Sequence, residues 1–292
     1  MAGEGDLVDG GLRIGGRERG FTLRPPRAAP GDRPVPLVLV LHGNNPDGSG
    51  GRMMREWTTF DAQADRRGFA IAYPDGHQGC WADGRGVTTA DEAGVDDVAF
   101  LTAIVDWSAE RYGTSPDRTV VAGISNGAFM AHRLALEASA RVAVMAAVAG
   151  QLPAALLGVR PAHAVSAMLI HGTADTLSPI DGGYSRRRGP DGEPRGRTLS
   201  LRETAGHWRA IDRCPPGPGE THTTELSSRT TAEAGAGGTR VVAWTVFGGG
   251  HTWPGMPVPP EWDEPVTGEF DAAEEICRFA EPLLASADAR RL

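Results

Sequence analysis

The sequence predicts an α/β fold with a mostly parallel central sheet and helices on both faces. Three observations carry that expectation. Short apolar runs such as Leu37 to Leu41 and Val165 to Ile170 have the character of strands buried on both faces. They alternate with longer segments of helical periodicity. The residues best suited to chemistry leave the carboxyl ends of those runs, where open α/β sheets place their sites.

In chain order, Arg13 to Leu23 is expected to hold a short strand or hairpin. Strands follow near 37–41, 69–73, 119–122, 144–148, 166–170 and 240–247, and helices near 52–66, 96–112, 127–138, 201–211 and 271–286. Residues 182–198 and 215–222 are rich in glycine and proline and are expected to be mobile loops. Residues 223–231 are expected to add a strand, with 234–238 as its turn. The implied organisation is an N-terminal extension over 1–20, partly flexible or an edge strand, one domain over 21–286 and a tail over 287–292. A chain of 292 residues is long enough for one such domain with a large core.

Composition narrows the partners. The net charge of −8 argues against nucleic acid. All 29 basic residues are arginine, which together with 40 glycines and 22 prolines points to a G+C-rich coding bias. No apolar run approaches the ~20 residues of a membrane helix, so no membrane partner is expected. Cys80, Cys214 and Cys277 allow at most one disulfide and lack zinc-ligand spacing. A reducing, cytoplasmic setting is the expectation, since Met1 to Asp6 does not resemble an export signal. A removed signal would make the protein secreted. The sequence does not indicate an oligomeric state.

Gly123-Ile-Ser-Asn-Gly127 is the most informative motif. It follows a strand-like run and precedes a helix-like one, so Ser125 would stand on a tight strand-to-helix turn above the sheet. A serine hydroxyl needs a base, and the base needs an orienting acid. Asp175 follows the run ending at Ile170, and His251 follows Gly248-Gly-Gly250 at the end of the next strand. The order serine, acid, histidine is that of α/β-hydrolases. Asp181 is the competing acid, and Asp175 is preferred because it lies nearer the strand end. His42 and His171 are expected to shape loops near the site. Backbone N–H groups of Asn126 and Asn44 are the candidate oxyanion donors, with Asn45 as the fallback. Trp253 and Trp81 are candidates for a pocket wall, or else packing residues that stiffen the loops. The Arg186 to Arg188 triplet is either a solvated loop or a carboxylate-binding site, and Asp96 and Asp97 have the position of helix caps.

Pro36-Leu-Val-Leu-Val-Leu-His-Gly43, Gly68-Phe-Ala-Ile-Ala-Tyr-Pro-Asp-Gly76, Cys80-Trp81, Gly94 to Leu101, His171-Gly-Thr-Ala-Asp175 and Gly248-Gly-Gly-His-Thr-Trp-Pro-Gly255 occur in one order with the serine motif. With it, they resemble the polyhydroxybutyrate depolymerase/feruloyl esterase family of the α/β-hydrolase superfamily. The resemblance covers roughly residues 21–280. It implies an α/β-hydrolase fold, and hydrolysis of carboxylic esters through an acyl-serine intermediate without metal or cofactor. It gives Ser125, Asp175 and His251 the roles argued above, and a small-molecule or oligomeric ester as the substrate. Many relatives carry a cysteine directly after the first His-Gly, where this chain has Asn44; Cys80 would then lack a partner. The alternative expectation is an intracellular acyltransferase, thioesterase or lactone-acting enzyme of small-molecule metabolism that keeps the same triad.

Overall fold

A computed structural model describes residues 7–27, 35–188, 192–257 and 263–285. The chain begins with an antiparallel hairpin, β1 (Val8–Ile14) and β2 (Arg17–Arg24). Its turn is Gly15-Gly16, at φ 55° and 80°, the left-handed pair that a two-residue hairpin requires. There follow β3 (Val35–Leu41), α1 (Gly50–Trp57), α2 (Phe60–Arg67), β4 (Ala70–Pro74), the short α3 (Thr89–Glu92), α4 (Asp97–Tyr112), β5 (Thr114–Ile124), α5 (Asn126–Glu137), β6 (Val142–Val148) and β7 (Ser166–Gly172). The remainder is β8 (Gly183–Arg188), β9 (Pro194–Thr198), α6 (Leu201–Ile211), β10 (Glu220–Thr223), β11 (Ser227–Thr231), β12 (Val241–Val246) and α7 (Ala272–Ala285).

One sheet runs in the order β1-β2-β4-β3-β5-β6-β7-β12-β11-β10. From β4 through β12 the neighbours are parallel, and the strands outside them pair antiparallel at both edges. Strand β3 shows why the central runs are continuously apolar. Leu37, Leu39 and Leu41 enter the core on one sheet face, while Val38 and Val40 enter the core on the other. The first core takes residues of α4, α5 and α6, such as Phe100, Leu134 and Trp208; the second takes Met54, Phe60 and Ile276 of α1, α2 and α7.

Local features fix where the helices begin and end. Gly68 and Gly113 take left-handed conformations at the ends of α2 and α4. Ser200 and Glu203 form a reciprocal cap at the start of α6. Asp96 caps α4 by accepting from the N–H of Ala99, but Asp97 does something else. It is fully buried, pairs with Arg19 at 2.7 Å and accepts from the N–H of Ala82 at 2.7 Å. It ties the first hairpin to the loop that carries Trp81.

Several sequence expectations need correction. Residues 182–198 do not form a loop: β8 and β9 make a separate two-stranded sheet. Residues 220–223 of the second expected loop form β10, which pairs with β11. The expected helix over 52–66 is two helices, broken at Thr58, whose N–H and hydroxyl both return to the carbonyl of Met54. Within the segment expected to be an extension or edge strand, β1 is the edge strand of the sheet, and β2 continues past residue 20 to Arg24. The expected tail at 287–292 lies outside the described residues. All three cysteines are free.

Candidate active site

Strand order reverses between β3 and β5, because β4 lies on one side of β3 and β5 on the other. At such a switch point the loops after neighbouring strands diverge and leave a crevice. Ser125 stands there, between β5 and α5, at φ 56° and ψ −120°. That left-handed backbone is strained for a residue with a side chain and is held by its surroundings. The Ser125 N–H donates to the carbonyl of Val148 at 2.9 Å. The flanking glycines are sterically required. A Cβ on Gly123 would lie 2.3 Å from the carbonyl oxygen of Gly127, and one on Gly127 would lie 2.4 Å from that of Leu41.

The loops after β7 and β12 are zipped together. Thr173 N–H donates to Val246 and Ala174 N–H to Gly249, and no Cβ fits on Gly172, where it would sit 2.1 Å from the Gly249 oxygen. The zipper brings Asp175 to His251. One Asp175 oxygen accepts from the N–H groups of Leu177 and Ser178 at 2.8 and 2.7 Å. The other lies 2.8 Å from His251 Nδ1. An ionised carboxylate only accepts, so Nδ1 carries the proton and Nε2 is left as the basic nitrogen. His171 adds a second contact to that oxygen at 3.2 Å, and its Nε2 also faces the Ser178 carbonyl at 2.8 Å. Burial pushes the Asp175 pKa up, but hydrogen bonds from His171 and His251 outweigh it and hold the carboxyl well below its usual range. Asp181 is exposed and outside this arrangement.

Ser125 and His251 line one cleft of about 360 Å³. Asn44 lies on its wall and is exposed. The fallback donor is already committed, because the Asn45 N–H donates to Gly79 at 2.8 Å. Asn126 opens α5, where N–H groups have no partner within the helix. Its side chain is occupied elsewhere, accepting from Trp81 N–H and donating to the Trp81 carbonyl and to Asp83. His42 shapes the same region as expected: its Nε2 accepts from Gly76 N–H at 2.8 Å.

Comparison with known proteins agrees with this architecture. The family model described as esterase PHB depolymerase matches residues 20–190. NocK of Nocardia uniformis subsp. tsuyamanensis, a protein named as an esterase, is 35% identical over 260 residues, covering 84% of this chain and 74% of that protein. The chain belongs to the esterase PHB depolymerase family. It is a carboxylic ester hydrolase. A bifunctional acetylxylan esterase/xylanase of Neocallimastix patriciarum is 27% identical over 142 residues, 49% of this chain and 19% of that protein. The solved acetyl xylan esterase from Aspergillus awamori shares the fold, with a TM-score of 0.55 at 15% identity over 84% of this chain and 94% of that one.

In this esterase the two tryptophans assigned to the pocket wall do not line the cleft. Trp81 is 0% exposed, and its indole N–H donates to the His42 carbonyl at 2.9 Å. Trp253 is 1% exposed and packs edge-on against Phe60. Trp253 lies two residues from His251, but residues one or two apart on a loop can face opposite sides. The aromatic and sulfur-bearing side chains of the cleft are instead Met53, Trp57, Phe129 and Met256. Met53 and Trp57 are four apart on α1 and share a face, a spacing visible in the sequence once that helix is placed. Arg85, Arg187, Arg195 and Glu264 also line the cleft. Glu264 accepts from the His251 N–H at 3.1 Å and from the Thr176 hydroxyl, so it bridges the loops after β7 and β12.

Proposed function

We propose that this esterase works through Ser125, His251 and Asp175 by way of an acyl-serine intermediate. The observation that carries the reading is the Asp175–His251 contact at 2.8 Å beside a serine on a strained turn in the same cleft. His251 Nε2 takes the proton as Ser125 Oγ attacks the ester carbonyl. The backbone N–H groups of Asn126 and Asn44 receive the developing oxyanion, each worth about 2.7–4 kcal/mol. Collapse expels the alcohol, which leaves with the proton from His251. Water then attacks the acyl-serine with His251 again as base, releasing the acid and restoring the serine.

The substrate in this reading is a small-molecule or oligomeric ester with a short or aromatic acyl group. A cleft of about 360 Å³ lined by Met53, Trp57 and Phe129 suits such a group. A relative named as an acetylxylan esterase points the same way. The test is Ser125→Ala, assayed on a short p-nitrophenyl ester and with a serine-directed phosphonate. A loss in kcat of roughly 10³–10⁶-fold is expected, with no phosphonate adduct on the variant. Near-wild-type turnover would end the assignment.

A further inference from the structure

We infer that the cleft selects esters bearing a free carboxylate, which Arg187 and Arg195 receive; this rests on the catalytic reading above and adds its substrate class. The β8–β9 hairpin is fixed against the site. The N–H of Arg186 and the hydroxyl of Ser185 both donate to the carbonyl of Leu177, two residues beyond Asp175. At its other end, Thr198 bridges to Pro153, and Gly196 lies so close to Arg85 that a Cβ there would be 2.5 Å from the arginine's own Cβ. The pairing is irregular between Tyr184 and Arg188, and it is the lining of the cleft that shows which side chains reach it. Ser185 and Arg187, two apart on β8, both line the cleft, and so does Arg195, the cross-strand partner of Ser185. Tyr184, in the alternate position, is 55% exposed.

The charges on this wall are not equivalent. Arg85 is neutralised by the fully buried Asp83, which it grips through Nε and a terminal nitrogen, and it stacks over Phe129 at 4.0 Å. Glu264 has both oxygens engaged by the catalytic loops. Among the described residues no acidic side chain pairs with Arg187 or Arg195, and the buried Nε of Arg195 has no hydrogen-bond partner. In a chain of net charge −8, two arginines without an acidic partner among the described residues thus line the cleft that holds Ser125. Guanidinium matches a carboxylate in a planar two-point contact, and a buried N–H without a partner gains most from an arriving acceptor.

The experiment compares kcat/KM within two matched pairs. The first pair, 4-carboxyphenyl acetate and 4-carbamoylphenyl acetate, places the charge on the leaving alcohol. The second, monophenyl adipate and phenyl hexanoate, places it on the acyl group. The wild type is expected to favour the charged member of one pair by about 10–100-fold, the scale of a hydrogen bond to a charged group. Raising ionic strength should shrink that ratio. Arg187→Gln with Arg195→Gln should bring it close to one, and Arg187→Glu should invert it. The ratio is taken within each variant, so a general loss of activity cancels. A wild-type ratio near one in both pairs, or a preference that survives the double substitution, overturns the inference. Ser125→Ala separates the two readings: if it is inactive on all four esters while the wild-type ratios are flat, the arginine assignment alone has failed; if it retains turnover, the catalytic reading has failed.

Discussion

A serine at φ 56° cannot relax without dismantling the contacts of Gly123 and Gly127, and this is why the turn is legible in five letters of sequence. The acid is legible for a weaker reason, its position just past a strand end. What singles out Asp175 physically is the set of donors around it: two backbone N–H groups and two histidines. The depressed pKa that follows has a definite sign. Stability from these contacts is fully present above the ordinary carboxylate pKa of ~3.9 and is lost as pH falls through the lower folded-state value. Asp175→Asn should therefore lower the denaturant midpoint at pH 7, and the gap from wild type should narrow below about pH 4. At neutral pH kcat should fall about 10⁴-fold, because the amide no longer fixes the useful imidazole tautomer. A midpoint difference independent of pH would show that Asp175 is not the ionised partner described.

Elements decide what a side chain near the site is for. The loop after β12 turns Trp253 under the sheet against Phe60, while the neighbouring His251 stays on the cleft. Trp253→Ala should then act as a core truncation, costing about 3–5 kcal/mol of stability, and it should not change the KM for aromatic esters more than for acetyl esters. Chemical denaturation alongside kinetics on both esters checks this; a selective rise for the aromatic ester would return Trp253 to the pocket wall. The Arg19–Asp97 pair works at the same scale, joining β2, the Trp81 loop and α4. Burial pushes the Asp97 pKa up in spite of Arg19, so the pair persists only as a pair. Asp97→Ala leaves a buried guanidinium uncompensated and should cost about 3–5 kcal/mol, whereas replacing both residues by apolar ones should cost less. Double-mutant denaturation curves decide between the two outcomes.

At the scale of the molecule, the sheet's switch point, the zipper between the last two parallel strands and the β8–β9 hairpin enclose one cleft around Ser125. Its volume is that of a small-ligand site. Short and aromatic esters should be cleaved with kcat/KM well above that for emulsified long-chain triglyceride, measured by titration of released acid. A clear preference for the emulsion would overturn the small-ester reading. The first hairpin, by contrast, lies at the far edge of the sheet from β12 and meets the Trp81 loop through Arg19 and Asp97.

The parallel sheet, the Gly123–Gly127 turn and the strand ends that carry Asp175 and His251 are legible in the sequence alone. These are local or periodic properties: apolar residues in runs that fill both faces of β3, and glycines demanded by backbone contacts at 123 and 127. Long-range contacts, in contrast, make the arginine-rich segment a hairpin against the Asp175 loop, commit Asn45 to Gly79 and bury Trp81 and Trp253. Each of these depends on partners far along the chain or on which way a loop side chain turns. Polar, glycine-rich segments carry little of the hydrophobic periodicity that makes a core strand readable, so their conformation is set by the surfaces against which they pack.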